Sequence, residues 1–225
     1  MKEKQTTSTT AASVASHVNA SSSLSTSSSC VKELFGSAMK ISLWDNFVDV
    51  SDIRPVPDHQ EVFMHKEIPV SLIIELNEHD PAVYEDYPPA LEYFSPSSSL
   101  DNKGLFNGLL HNLLEYANDK AESPFLRVRR VERITPDLDL LSGPGSEIQN
   151  ESGIIEADVG QDSDHFTRVS LVLIWLKEFN THILAILNLD DLKDLDVERQ
   201  NTARNMFDIM QVVSSLKIHD TSLFL

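Results

Sequence analysis

The chain of 225 residues has one cysteine, Cys30, and seven glycines, and no apolar run approaches the roughly 18 residues of a membrane span. A single cysteine cannot close an internal disulfide, so a disulfide-stapled scaffold is excluded. The N-terminal segment also lacks both the apolar core of a secretory signal and the arginines of a transit peptide. We therefore expect an intracellular protein that does not insert into a membrane.

Basic residues are scarce as well. The chain has 18 Lys and Arg against 35 Asp and Glu, which gives a formal net charge of -17 and a pI near 4.7. Nucleic acid and anionic membrane surfaces repel such an anion, so neither is an expected partner. A basic surface on another protein is the natural complement.

The common catalytic motifs are missing. No Gly-x-x-x-x-Gly-Lys-Ser/Thr loop is present to cradle nucleotide phosphates, and no Gly-x-Ser-x-Gly elbow to present a serine nucleophile. His59, Glu61 and His65 alternate along one stretch and form a conceivable metal trio, but this spacing is more typical of a polar strand face. We therefore expect no covalent catalysis, no cofactor and no metal.

Two segments differ in composition from the rest. Residues 1–30 are dominated by Ser, Thr and Ala and have few large apolar side chains, which predicts a disordered tail. Residues 135–164 combine Pro, Gly and Ser with many acids, which predicts a long, mobile acidic loop. A single domain over 31–225, with that loop as an insertion, is the predicted organisation.

Apolar patterns predict about six strands. Two hairpins are expected, one from 60–65 with 70–76 and the other from 166–178 with 183–189. Because the stretch 166–178 is apolar on both alternating faces, it must be covered on both. The two remaining predicted strands are 39–43 and 125–134.

Helical spacing of apolar residues predicts an amphipathic helix over 104–120 and a long helix over 194–216, with room for a short helix at 90–94. The stripe of the long helix is formed by Ala203, Met206, Phe207, Met210 and Val213. Strands joined by hairpins, with helices for both faces, predict an α+β fold: an α/β/α sandwich on a largely antiparallel, roughly six-stranded sheet.

Four arginines form a basic cluster in this acidic chain. They are Arg127, Arg129, Arg130 and Arg133. One interpretation is a strand whose long side chains pair with the acidic insertion. The alternatives are a localisation signal or a contact to an acidic partner surface.

The stretch Val56-Pro57-Asp58-His59-Gln60-Glu61-Val62-Phe63 puts two carboxylates between a proline stop and a predicted strand. The preceding residues, 51–54, are expected to form a tight turn capped by Ser51 or Asp52. From the residues alone, two interpretations are equally good. Asp58 and Glu61 could form a functional site, or Asp58 could be an ordinary turn residue and Glu61 an ordinary exposed strand residue.

With its flanks, this stretch resembles the Ran guanine nucleotide release factor family, the Mog-type nuclear import proteins, and the chain looks like a fungal-like member. The flanks are Glu33-Leu34-Phe35-Gly36, Phe47-Val48-Asp49-Val50-Ser51-Asp52-Ile53-Arg54 and Asp220-Thr221-Ser222-Leu223-Phe224. The resemblance covers 33–76 well and 166–225 more loosely. The chain departs from the family at Gly36-Ser37, where Gly-Gly is common, and 77–165 is expanded.

The resemblance implies a monomeric Ran-binding protein of the nucleus and cytoplasm that supports nuclear import by promoting guanine nucleotide release. It implies that Asp58 and Glu61 contact Ran, with His59 and Gln60 in the rim. An adaptor that binds a small GTPase or transport partner without releasing nucleotide predicts the same acidic surface. The photosystem protein PsbP shares the family's sandwich fold, but a thylakoid transit sequence is missing here.

Overall fold

Two sheets form the framework of the computed structural model, which describes residues 28–82, 103–120, 125–135, 139–140, 149–190, 197, 200, 203 and 207–224. The larger sheet has seven strands, all paired antiparallel, in the order β3-β4-β5-β10-β9-β8-β6. Its strands are β3 (Phe47–Asp49), β4 (Gln60–His65), β5 (Val70–Glu78), β6 (Phe125–Ile134), β8 (Asn150–Gly160), β9 (Phe166–Leu176) and β10 (Thr181–Leu189).

The smaller sheet has four strands in the order β1-β2-β11-β7. They are β1 (Ser29–Leu34), β2 (Met39–Trp44), β7 (Asp139–Leu140) and β11 (Lys217–Ile218), and only the β11–β7 pair is parallel. The α-helices are α1 (Lys103–Lys120) and α2 (Ile209–Val213), and short 3-10 turns occupy Val50–Asp52, Lys177–Phe179 and Thr221–Phe224.

Both predicted hairpins are confirmed. β4 pairs with β5, and β9 pairs with β10 in a register that sets Leu176 opposite Thr181. The second connection is the 3-10 turn Lys177–Phe179 followed by Asn180, whose φ of 50° lies in the left-handed region that asparagine tolerates. The strand predicted at 125–134 is likewise present as β6.

Helix α1 covers one face of the large sheet, as its apolar spacing predicts. The side chains of Leu105, Leu109 and Leu113 are buried against β8 and β9. The approach is close at Gly153, where an added Cβ would lie 2.8 Å from Leu109 Cδ1 and 3.2 Å from Leu105 Cδ2. Glycine at this position lets the helix pack directly on the sheet.

The opposite face is covered by the small sheet and by the C-terminal segment. Apolar side chains of β2, Met39, Ile41 and Leu43, pack with those of the central strands and with α2. Phe207 fills the space between Trp44 and Phe47, with ring centroids 5.0 and 5.7 Å apart. The fold is therefore α+β, but a second sheet, which the sequence did not predict, forms much of the layer where helices were expected.

The prediction of a long acidic loop over 135–164 is wrong for 150–160, which form β8 between β6 and β9. Polar residues hid the strand pattern. Glu151, Glu156 and Asp158 interrupt the apolar residues, and each is paired with a basic side chain, in β6 for Glu156 and Asp158 and in the turn after β9 for Glu151. Residues 141–148 lie outside the described part of the chain.

The prediction of one helix over 194–216 is also wrong. Residues 197, 200 and 203 are helical, but Phe207 and Asp208 are not, and Asp208 has an extended φ of -115°. Its carboxylate accepts a hydrogen bond from Met210 N at 2.9 Å and caps α2. An N-cap aspartate within an apolar stripe therefore begins a separate helix. The short helix predicted at 90–94 lies outside the described residues.

The first strand begins at Ser29, two residues before the predicted domain boundary, and the rest of the predicted tail, residues 1–27, lies outside the described residues. The predicted turn cap is wrong too, because Asp49, and neither Ser51 nor Asp52, accepts the capping hydrogen bond. Within the described chain, no helix combines the length and apolar character needed to cross a membrane.

Candidate partner-binding site

A short rigid loop leads from β3 to the predicted acidic pair. Asp49 Oδ1 accepts a hydrogen bond from Ser51 N at 2.8 Å, which closes the 3-10 turn. The N–H groups of Ile53 and Arg54 both donate to the carbonyl of Val50, at 2.9 and 3.0 Å. Because the Val50 side chain is buried, it anchors this turn to the core.

Asp58 and His59 occupy the tip of the next turn. Gln60 N donates to the carbonyl of Pro57 at 2.9 Å, so Asp58 and His59 are the two central residues of a β-turn. The carbonyl of His59 accepts a hydrogen bond from Leu76 N at 2.9 Å, which ties the turn to β5. Both side chains are exposed. The Asp58 carboxylate is therefore held on a fixed backbone and is open to a partner.

Glu61 lies in a different environment. Its half-buried carboxylate accepts a hydrogen bond of 2.6 Å from Phe35 N, in the turn between β1 and β2. Phe35 and Gly36 have φ values of 49° and 65°, so this turn is left-handed and aims the Phe35 N–H at β4. Glu61 thereby joins the two sheets next to the acidic turn.

The pKa of Glu61 is raised. Partial burial is the main cause, and the nearby charge of Asp49 adds to it. The hydrogen bond from the Phe35 N–H opposes these effects without cancelling them. The folded protein thus favours the neutral form of this carboxyl more than water does.

The four predicted site residues do not share one surface. Side chains of consecutive strand residues point to opposite faces, so Gln60 faces away from Glu61. Gln60 Nε2 donates to Glu75 Oε2 across the β4–β5 pair at 2.9 Å. Asp58 and His59 form the exposed tip, Glu61 faces the small sheet, and Gln60 lies on the face that carries α1.

The structure does not place His59, Glu61 and His65, the residues that alternate along the stretch 59–65, to hold a metal ion together. His65 Nδ1 accepts hydrogen bonds from the N–H groups of Glu67 and Ile68, at 3.1 and 3.3 Å. Its ring is buried edge-on against Phe47, and burial lowers its pKa despite the charge of Glu67. Among the described residues, no group of three or more His, Cys, Asp or Glu side chains is placed to hold a metal ion.

Three parts of the site were missed by the sequence reasoning. Asp49 was identifiable, because an aspartate two residues before a serine in a turn is a common capping arrangement. The Phe35 N–H gave no signal, since its contact to Glu61 spans 26 residues. Ile53 is the third: it is 72% exposed and lies beside Asp52 on the loop that leads to Asp58.

Comparison with known proteins assigns this architecture to a family. A family model described as "Mog1: Ran-interacting Mog1 protein" matches residues 32–190. The human Ran guanine nucleotide release factor is 31% identical over 196 residues, covering 85% of this chain and 94% of that protein. The bovine protein of the same name is 28% identical over 196 residues, with the same coverage of both chains.

The crystal structure of the Saccharomyces cerevisiae Ran-binding protein Mog1p is similar in fold. It has a TM-score of 0.53 and 19% identity, over 89% of this chain and 100% of that one. These matches confirm the family seen in the sequence, although they assign the chain to no fungal branch of it. The chain belongs to the Mog1 family of Ran-interacting proteins.

Proposed function

We propose that this protein binds Ran through the turn that carries Asp58 and promotes the release of guanine nucleotide from it. The observation that carries the proposal is the exposed Asp58 carboxylate on a turn fixed at both ends, in a chain of a Ran-interacting family. The release activity is supported by the names of the human and bovine relatives. The net charge of -17 suits a cationic site on the partner.

The proposed mechanism requires no covalent chemistry. Small GTPases hold their nucleotide through a phosphate loop, a lysine and a magnesium ion. A carboxylate can pair with cationic groups that otherwise hold phosphate. A protein that binds the nucleotide-free form more tightly must, by reciprocal linkage, weaken nucleotide binding by the same factor.

The residues of the site have separate roles in this proposal. Asp58 contacts Ran directly and His59, beside it at the tip, lies at the rim. Gln60 was expected at the rim too, but it faces the α1 side and bonds Glu75, so it supports the turn. Glu61 is a positioning residue, because its carboxylate is engaged by the Phe35 N–H and holds the start of β4 against the small sheet. We further propose that the protein acts in the nucleus and cytoplasm, in nuclear protein import.

The test is nucleotide release from Ran loaded with a fluorescent guanine nucleotide, run separately on its GTP and GDP forms. Wild-type protein is expected to accelerate release from at least one form, and Asp58→Lys to abolish the acceleration. Asp119→Lys, on the exposed side of α1, changes the net charge equally and should retain it. Binding without faster release would instead identify an adaptor, and equal activity of Asp58→Lys would exclude this site.

A further inference from the structure

Three arginines converge on one buried carboxylate at the edge of the large sheet farthest from Asp58. The side chain of Asp158 in β8 is 0% exposed. Arg127 donates to its Oδ2 through Nε at 2.9 Å and also through a terminal nitrogen, and Arg129 Nε lies 2.8 Å from its Oδ1. Arg168 Nε is 3.5 Å from the same Oδ1. We name Arg127, Arg129, Arg168 and Asp158 the arginine row.

The register of the sheet builds this arrangement. Arg127, Asp158 and Arg168 are directly opposite one another on β6, β8 and β9, on the face away from α1. A bulge between Val128 and Arg130 brings Arg129 to the same carboxylate. Burial alone would raise the pKa of Asp158, but the hydrogen bonds from Arg129 and Arg127 outweigh it and lower that pKa. The carboxylate therefore remains charged and holds the guanidinium groups in place.

The arginine row has more positive charge than its own acid neutralises. Three guanidinium groups against one carboxylate leave an excess of two positive charges, and Arg130, Glu132 and Glu156 beside the row reduce the local excess to one. The side chains of Arg127 and Arg129 are still 52% and 39% exposed. Each guanidinium has five N–H donors, so Arg127 and Arg129 have donors beyond those that Asp158 engages. They are already oriented, which reduces the entropy cost of binding an anion.

Edge protection alone does not explain this geometry. β6 is the last strand of its sheet, and charged side chains and bulges commonly prevent such edges from pairing with other chains. Scattered charges would be enough for that purpose. Convergence of three arginines on one buried acid is instead an arrangement that holds guanidinium groups ready for another anion.

The acidic turn around Asp58 does not cancel the positive charge of the row. β4 and β6 are five strand positions apart in the sheet, about 24 Å at the usual spacing. The screening length at physiological salt is about 8 Å. The acidic turn around Asp58 is thus electrostatically separate from the arginine row, and the protein presents surfaces of opposite sign at opposite edges.

We propose that the arginine row is a second docking surface, and that it binds an extended acidic segment of a protein partner. Its length argues for a segment with several carboxylates over a single anion. The row crosses three strands, about 10 Å, and Arg130, which lies opposite Glu156 on the same face, extends it along β6 by about 7 Å. An isolated phosphate would contact only part of that area.

The test uses a fluorescein-labelled hexaglutamate peptide and the full chain, with binding followed by fluorescence anisotropy. Arg127→Gln/Arg129→Gln is expected to bind the peptide at least about tenfold more weakly than wild type. The matched control, Arg54→Gln/Lys66→Gln, changes two exposed residues near the opposite edge and gives the same net charge. The affinity of this control for the peptide should remain within about twofold of the wild-type affinity. Glu156→Gln is expected to bind the peptide more tightly, because it removes a negative charge beside Arg130 and leaves Asp158 in place to hold the guanidinium groups.

Thermal melting of each variant separates binding from folding. The proposal is overturned if wild type does not bind the peptide, or if the control loses as much affinity as the arginine variant. Unchanged or weaker binding by the folded Glu156→Gln variant, or equal competition by inorganic phosphate, would overturn it as well.

Discussion

Asp58 and Glu61 are three residues apart and have different environments. Asp58 is exposed at the tip of a turn, whereas Glu61 is half-buried and bound to the Phe35 N–H. Spacing alone could not distinguish them, because the contact that separates them comes from the other sheet. The carboxylates were predictable as a pair, but their different environments, and so the proposed division into a contact residue and a positioning residue, were not.

Glu61 variants test this division. Glu61→Gln keeps an oxygen that can accept the Phe35 N–H, so we expect it to bind Ran nearly as well as wild type. Glu61→Ala leaves that N–H without its partner and should cost about 1 to 2 kcal/mol of stability and weaken binding. Titration calorimetry and thermal melting of both variants provide the measurement. Equal loss of binding in both would mean that the charge itself contacts Ran.

The raised pKa of Glu61 makes a separate prediction. Because the folded state binds this proton more tightly than the unfolded state, wild-type stability should fall as the pH rises through and above the ordinary glutamate range. Glu61→Gln cannot ionise and should lose this part of the pH dependence. Urea unfolding at a series of pH values should show the free energy of unfolding of Glu61→Gln increasing relative to that of wild type as the pH rises. A decrease relative to wild type over the same range would contradict the raised pKa.

His182 predicts a pH dependence of the opposite sign. Burial, together with the charge of His79, lowers the pKa of His182 to about 3. The unfolded chain gains this proton near the ordinary histidine pKa, so stability should be full above about 6.5 and fall below it. The slope approaches about 1.4 kcal/mol for each pH unit. His182→Gln should flatten the urea-unfolding profile between about pH 4 and 6, and an unchanged profile would contradict the assignment.

At the scale of elements, the sequence predicted the strands and the helix whose residues form a pattern within one short stretch of chain. The strand at 125–134 and the two hairpins follow from alternation, and α1 follows from leucine spacing. β8 was missed because its acidic residues are paired with basic side chains that are distant in sequence. The four-stranded sheet was missed because two of its pairings are distant in sequence, as between Lys217 and Lys40, and because β7 and β11 have two residues each. Its β1–β2 hairpin is local, but no strand was predicted at 29–34.

Of the predicted C-terminal stripe, Ala203, Phe207 and Val213 are buried in the core, Met210 is partly buried, and Met206 lies outside the described residues. Phe207 is 5% exposed and contacts Trp44, Phe47 and His65 edge-on. Phe207→Ala should therefore cost about 3 to 5 kcal/mol in urea unfolding. Val197 is 71% exposed on the same stretch of chain, and Val197→Ala should change stability by less than about 0.5 kcal/mol. Similar effects in the two variants would mean that the aromatic cluster contributes little to the core.

At the scale of the whole molecule, charge is divided between two edges of one sheet. The acidic turn lies at the β4 side, and the arginine row at the β6 side. Composition indicated the excess of acid and the arginine cluster. It could not indicate that the two lie on opposite edges, because β6 and β4 are separated in space by strands from distant parts of the chain. Two of the acids that pair with the arginines, Asp158 and Glu156, do lie in the segment predicted to pair with them.

The net charge of -17 predicts how association with Ran should respond to salt. Long-range steering by this charge should raise the association rate, and screening should reduce that rate by about tenfold between low and physiological salt. Asp58→Lys and Asp119→Lys lower the net negative charge equally, so both should slow association at low salt. At physiological salt only the Asp58 variant should remain impaired, because a direct contact is screened far less than steering. Stopped-flow association and dissociation rates across a salt series measure this. If the two variants differ little at every salt concentration, the acidic turn contributes only to the overall charge and is no contact site for Ran.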